Sequence, residues 1–483
     1  MSKNNPEKFN VVIIGAGPGG YVAAIRCAQL GLKTACVDDW RDAENKPSPG
    51  GTCLNVGCIP SKAMIDSSEK FHHTQHGLTE HGIDVGEVKL NLKAMHARKN
   101  KVVRALTGGV AALFMANKIT FIAGRAKILA NKSIEIIGHK KSDSQSLLAE
   151  NIIIATGSSP KEFKLAPFDQ KNIVDSTGAL EFTSVPKHLC LIGAGVIALE
   201  LGSVWRRLGS EVTLLKSRKN FLPDVDQEIS TEALKLFTAQ GLNLKAGVKI
   251  TSCKVEAKKV SIAYQEENQQ VTYKADKLIV AVGRDANSQN IFDPSLAIEL
   301  DDKGFIKVDE QCRTHSDGIF AIGDVVGGAM LAHKGSEEGI MVAELIAGHH
   351  TRVDYATIPA VIYTDPEIAW IGKTEQELQT AGVAYNAGKF SFSGNGRARA
   401  AATTEGFIKV LADKITDRIL GVHIIGPQAS ELIMQAKLAM DFGASSEDIA
   451  MTMFAHPTLS ETLHEAALSV DNRAIHAVQV KKK

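Results

Sequence analysis

Cys53 and Cys58 stand five residues apart in GGTCLNVGCIPSK, residues 50–62. One helical turn brings sulfurs at this spacing close enough to form a disulfide. Two blander chemistries also fit a close cysteine pair, half of a zinc site or two buried free thiols. Zinc needs two further ligands, and no CxxC pair stands elsewhere in the chain to supply them. A redox-active pair is the better reading. Lys62 follows Cys58 by four residues, on the same helical face, where its ammonium reaches whatever lies beside that sulfur. Dithiol chemistry also needs a base. His456 precedes Pro457, which predicts a cis peptide, and Glu461 follows at the start of a helix, where it can bond one ring nitrogen. Taken alone, a histidine near a glutamate is more often structural. The dithiol is what raises this one above that.

The elements that must position these groups repeat. FNVVII (9–14) reads as a buried strand, GAGPGG (15–20) as a turn, YVAAIRCAQLGL as a helix, and TACVD as a second strand ending at Asp38. HLCLI (188–192), GAGVIALELG (193–202) and EVTLLK repeat that order and end at Lys216. Gly15 to Asp38 and Gly193 to Lys216 are both 23 residues. Two such βαβ units predict two dinucleotide sites, Gly15, Gly17 and Gly20 in one and Gly193, Gly195 and Ala198 in the other. The glycines let backbone approach a pyrophosphate at a helix N-terminus, and Asp38 accepts ribose hydroxyls. Lys216 breaks the parallel: with Arg218 and Lys219 it puts cations where a ribose would lie. A site for a 2′-phosphate and a set of solvated lysines are near-even readings of it. Further apolar strands end in glycine turns at NIIIATGSS (151–159, with Gly157), KLIVAVGR (277–284, with Gly283) and GIFAIGD, which closes at Asp324.

Composition bounds the rest. At roughly 150 residues per domain, 483 residues predict about three domains. Lys plus Arg is 55 and Asp plus Glu is 54, so a net charge of +1 offers no global attraction for nucleic acid or an anionic membrane. The N-terminus MSKNNPEK lacks the apolar core of a signal peptide, and Val11–Ile25 is broken by glycines and a proline, so a cytoplasmic chain is expected. Past a linker near 348–356, FIKVLADKITDRILGVHIIG alternates as an antiparallel sheet, followed by helical patterns at 428–442 and 459–467. His72, His73, His76 and His81 read mainly as a polar helix face and loop rather than a metal site. The five remaining cysteines read as packing residues, and Lys481–Lys483 as a solvated tail.

GGTCLNVGCIPSK, GAGVIALELG, FAIGD and HPTLSE together, in this order along essentially the whole chain, resemble the dihydrolipoamide dehydrogenase branch of the pyridine nucleotide–disulfide oxidoreductases. The resemblance implies an α/β fold with two Rossmann-like domains, for FAD and NAD, and a C-terminal α+β dimerisation domain. The FAD-binding domain would take residues 1–160 and 285–352, the NAD-binding domain 161–284 and the interface domain 353–483. It implies a homodimer serving the lipoyl domains and core of 2-oxo acid dehydrogenase complexes, and the glycine cleavage system. On the same basis Cys53 exchanges with substrate, while Cys58 forms a charge-transfer thiolate against the flavin. Lys62 and Glu200 would form an ion pair beside it, Asp324 would bind the ribitol chain, and Gly157, Ala332 and Gly283 would line the cofactor sites. His456 and Glu461 would be the acid–base dyad, contributed by the other subunit. The family usually has an acid where this chain has Lys216, and the competing expectation is an NADPH-dependent disulfide reductase of the glutathione reductase type.

Overall fold

A computed structural model describes residues 6–139 and 144–478; the lysine tail lies outside them. The chain divides into two compact units, Met1–Ala63 with Lys93–Lys161 and Gly283–Val353, and Met64–Leu92 with Glu162–Val282 and Asp354–Lys483.

At the centre of the first unit, the strand Glu7–Ile14 runs parallel to Thr34–Asp38 on one side and Gln145–Ile154 on the other. Its apolar run is continuous because both of its faces are covered. Val12 and Ile14 pack with Ile152 and Ile154 on one face. Val11 and Ile13 pack on the other against Ala23, Ala24 and Cys27 of the helix Pro18–Gln29 and Val342 of the helix Ala332–Ile346. Ile319–Ala321 adds a parallel neighbour to Gln145–Ile154, and Arg125–Ile128 and Ser133–Ile137 extend the sheet antiparallel.

The second unit holds a five-stranded sheet built around His188–Ile192, parallel to Glu211–Lys216 and Lys277–Val280. It also holds an antiparallel sheet in which Phe407–Asp413 and Ile419–Gly426 pair as their alternation predicted. The helices Ala429–Asp441 and Glu461–Val470 pack on that sheet. The internal repeat is visible atom by atom. Gly15 N–H donates to Val37 O and Ala155 N–H to Ile14 O; Gly193 N–H donates to Leu215 O and Ala281 N–H to Ile192 O, all at 2.8–2.9 Å.

Cys27, Cys36, Cys190 and Cys312 are buried and Cys253 is half-buried. Burial pushes the Cys27 thiol up to about 12 and that of Cys253 to about 11, and Cys36 and Cys190 rise as well.

One ionic cluster in the second unit joins the helix Gln227–Ala239 to the antiparallel sheet. Lys409, 2% exposed, donates 3.1 Å bonds to both oxygens of fully buried Asp226 and also meets Glu228 and Glu375. Asp226 in turn caps its helix at Glu228 N–H. Burial pushes Asp226 up, but His423 and Lys409 outweigh it and hold the carboxyl below its usual range; burial pushes Lys409 down, and its carboxylates outweigh that. The carboxylate's contribution to stability is therefore present above the ordinary carboxylate range and lost as pH falls through its lowered value, while that of the ammonium is lost only in strong alkali. Lys409→Met strands a buried carboxylate and is expected to cost about 3–5 kcal/mol. Urea denaturation should show a lower midpoint, with less deficit as pH falls towards 3; an unchanged midpoint at pH 7 would show that the cluster is neutral to stability.

Candidate active site

Cys53 and Cys58 form a disulfide with Cα atoms 4.6 Å apart. They do not share one helix. Cys53 lies in the short helix Gly51–Asn55, and Cys58 opens the helix Cys58–His76. The break falls at Gly57, where a Cβ would lie 2.9 Å from Thr52 O and 3.3 Å from the Cys53 Cα. Glycine is thus what allows the chain to fold back on Cys53. Lys62 sits one turn into the second helix, as its spacing from Cys58 requires. Asn55 fixes the preceding loop, donating to Ser48 O and Gly51 O.

In the same unit, the first glycine turn leads into the helix Pro18–Gln29, whose N-cap is Gly17 with no side chain capping it. Its first-turn N–H groups are left for an anion, and a Cβ on Gly17 would meet nothing nearer than 3.9 Å, so an incoming phosphate can approach backbone closely. Gly15 has φ +106°, and a Cβ there would lie 2.3 Å from Ala155 O. Gly20 is equally constrained, with a Cβ position 1.9 Å from Gly15 O, whereas its counterpart Ala198 carries a buried methyl. Only in the second copy does this position accept a Cβ.

Asp38 ends its strand beside this turn. Its Oδ2 accepts Ala16 N–H at 2.5 Å and its Oδ1 accepts Trp40 N–H at 2.7 Å. Burial nevertheless raises its carboxyl above the ordinary range, the two amides opposing it. Its work therefore begins with holding the turn, and only the remaining lone pairs can take ribose hydroxyls. Asp324 lies in the turn Gly323–Val326. Its Oδ2 accepts from Ser158 Oγ at 2.6 Å, and Arg284 Nε donates to that same hydroxyl at 2.7 Å. Gly157 and Gly283, both at positive φ, flank these two partners and have open space at their Cβ positions. Ala332 begins the helix Ala332–Ile346, which has no side-chain cap. Glycine turns, an uncapped helix and a carboxylate with one oxygen held fit a dinucleotide with a polyol arm.

The second unit repeats the cradle. Gly195 is the uncapped N-cap of the helix Val196–Arg207, with open space at its Cβ position. Glu200 is buried in that helix and accepts Tyr363 N–H at 3.1 Å. Lys216 closes its strand at the position of Asp38 in the first copy. Burial lowers its ammonium, and the Arg218 charge lowers it further, so two cations sit together where the second ribose is expected.

His456 and Glu461 meet as expected. The His456–Pro457 peptide is cis. His456 Nδ1 faces Glu461 Oε1 at 2.9 Å, and Thr458 N–H donates to Oε2 at 2.8 Å. An ionised carboxylate only accepts, so in the neutral ring Nδ1 carries the proton and the lone pair falls on Nε2. His456 is 79% exposed, so Nε2 is accessible. Burial pushes Glu461 up, but Thr458 N–H and His456 outweigh it, and the carboxyl stays below its usual range. His72, His73 and His76 lie on the helix Cys58–His76 and His81 on the turn after it; no group of three or more metal-ligating residues is gathered among the described residues.

Ser158, Arg284, Thr458 and Tyr363 were not legible as site residues. Ser158 and Arg284, each directly after a glycine turn, and Thr458, inside HPTLSE, carried a positional signal; Tyr363 carried none.

The family model for pyridine nucleotide-disulphide oxidoreductases matches residues 9–339, and that for their dimerisation domain matches 358–467. The chain is 46% identical over 477 residues to a dihydrolipoyl dehydrogenase of Cupriavidus necator, covering 97% of this chain and 99% of that one. It is 45% identical over 480 residues to the mitochondrial dihydrolipoyl dehydrogenase 2 of Arabidopsis thaliana, covering 99% and 93%. Among solved structures, LpdA from Mycobacterium tuberculosis superposes with a TM-score of 0.88 at 24% identity, over 95% of this chain and 99% of that one, which speaks to the fold alone. No helix among the described residues is long and apolar enough to cross a membrane. On these matches and this architecture, the chain belongs to the pyridine nucleotide-disulphide oxidoreductase family.

Proposed function

We propose that the chain is a dihydrolipoyl dehydrogenase, which oxidises dihydrolipoyl groups to the cyclic disulfide and passes two electrons through Cys53–Cys58 and FAD to NAD. The observation that carries this is the disulfide, set in the same unit as a glycine turn built to receive a dinucleotide. Residues 1–160 and 285–352 would bind FAD, 161–284 NAD, and 353–483 would form the interface.

A dihydrolipoyl thiol attacks a disulfide only as its thiolate. His456 Nε2 takes that proton, and Glu461, already ionised, stabilises the imidazolium through Nδ1–H. The thiolate forms a bond to Cys53 Sγ as the Cys53–Cys58 bond breaks, and Cys58 leaves as a thiolate. The second substrate sulfur then displaces Cys53, its proton passing to the departing Cys53 Sγ; the lipoyl ring closes, leaving Cys53 as a thiol, Cys58 as a thiolate and the first proton on His456. FAD, if bound, would supply a two-electron acceptor for this reduced pair and a hydride source for a nicotinamide. The residues that would hold it are the turn at Gly15, Gly17 and Gly20, together with Asp38, Asp324 and Ala332.

A second copy of the chain would complete the site. Met434, Leu438 and Phe442 recur at helical spacing along the helix Ala429–Asp441 and its end, and Phe442 is 88% exposed; Met451 and Met453 are also exposed. Such a stripe calls for a covering surface. The partners we propose are the lipoyl domains and core of 2-oxo acid dehydrogenase complexes, and the glycine cleavage system.

Lys216 and Arg218 favour a second reading, an NADPH-dependent disulfide reductase. The decisive assay gives purified protein dihydrolipoamide with NAD and with NADP, and oxidised glutathione with NADPH. Turnover of dihydrolipoamide with NAD is expected. Glutathione reduction as the faster reaction would select the alternative. Because two cations would tolerate a 2′-phosphate better than an acid does, the preference of NAD over NADP should be modest. Lys216→Glu should raise the ratio of kcat/KM for NAD over NADP by about tenfold or more, one charge-assisted bond lost to the phosphate. An unchanged ratio would show that Lys216 points away from the ribose.

A further inference from the structure

The buried ion pair on the helix Ala332–Ile346 is assigned no part by the chemistry above. Lys334 and Glu338 are 4% and 1% exposed and meet at 2.9 Å, one helical turn apart. Both also reach Gly323. Glu338 Oε2 accepts Gly323 N–H at 2.7 Å, and Lys334 Nζ donates to Gly323 O at 3.3 Å. The peptide groups on either side of Gly323, which has φ +76°, are therefore held by opposite ends of one ion pair. The next residue is Asp324.

The same helix face meets the other dinucleotide element. A Cβ on Gly335 would lie 3.1 Å from Gly323 Cα, and one on Gly339 would lie 2.6 Å from Gly19 O. The helix thus seats against the phosphate turn and the Asp324 turn together. A buried ion pair adds little stability over an apolar pair of the same volume. What this one supplies is direction: neither Leu nor Met could bond both faces of Gly323.

We infer that Lys334 and Glu338 are positioning residues for the flavin, fixing the Gly323 backbone so that the Asp324 carboxylate stands ready for a ribitol hydroxyl before ligand arrives. The inference rests on the FAD reading above. It concerns retention of the cofactor, not electron transfer.

The test uses full-length apoprotein and FAD, following release of FAD fluorescence after dilution and melting each apoprotein separately. K334M/E338L removes both charges and both bonds to Gly323; K334M/E338Q removes the charges and restores an acceptor for Gly323 N–H. K334M/E338L should release FAD about tenfold faster than the native protein while its apoprotein melts within a few degrees of native, and K334M/E338Q should recover part of that loss. Native release rates in both variants overturn the proposal, as does equal loss in both, which would mark packing alone. Should neither variant fold, amide exchange in native apoprotein decides. Slow exchange at Gly323 N–H supports pre-positioning by the pair, and exchange as fast as in exposed loops overturns it. Native apoprotein that takes up no FAD would instead overturn the FAD reading.

Discussion

Replacing Cys58 by serine is expected to lower dihydrolipoamide turnover with NAD by about 10⁴-fold or more, with FAD still bound. A serine oxygen cannot form the protein disulfide, so substrate has no bond to exchange into and electrons have no dithiol from which to leave. The cofactor cradle is untouched, because the glycine turn, Asp38 and Asp324 hold their geometry without a bond to either sulfur. Cys53→Ser should be equally inactive but spectroscopically different. Its surviving Cys58 thiolate should give bound FAD a long-wavelength absorbance without any reductant. Near-native turnover in either variant would sink the disulfide assignment, and an ordinary oxidised spectrum in Cys53→Ser would reverse the roles given to the two cysteines.

His456→Gln should lower turnover of dihydrolipoamide by about 10²–10⁴-fold, the usual contribution of a positioned base. Reduction of ferricyanide by NADH needs no proton from a dithiol and should be little changed. Glu461→Gln should cost less, since an amide oxygen can still receive Nδ1–H, but it withdraws the charge that steadies the imidazolium. The acid limb of kcat/KM should then move to lower pH. The native carboxyl is held below its usual range by Thr458 N–H and His456, so it adds no titration of its own near neutrality. Parallel loss of dithiol oxidation and ferricyanide reduction in His456→Gln would mean that the histidine supports the fold instead of the proton transfer.

The parts of this site readable from the chain were those with short-range signatures. The turn from Gly15 to Gly20 and its repeat from Gly193 follow from strand, glycine and helix in fixed order, and the paired hydrogen bonds at Val37 and Leu215 bear the repeat out. The dyad was readable because Glu461 follows His456 by five residues across one helix start. Parts joined across long separations were not. Ser158 and Arg284, 126 residues apart, meet over Asp324, and Lys409 meets Asp226 across 183 residues. No periodicity announces such pairs, since each is set by which strands become neighbours. The single helical turn expected to join the cysteines does not form, for a local reason: Gly57 breaks it, because the turn back to Cys53 leaves no space for a side chain.

Thiol burial has a practical corollary for labelling. Burial raises the Cys27 and Cys253 thiols well above the ordinary thiol range, so at pH 7 both stand almost wholly as thiols. Electrophiles such as iodoacetamide consume thiolates, so the oxidised protein should be almost inert to them. Brief treatment with a dithiol reductant opens Cys53–Cys58 alone, and the label that follows lands on those two sulfurs. The chain thus carries a ready attachment point for a fluorophore or spin probe, with no cysteine needing to be removed beforehand.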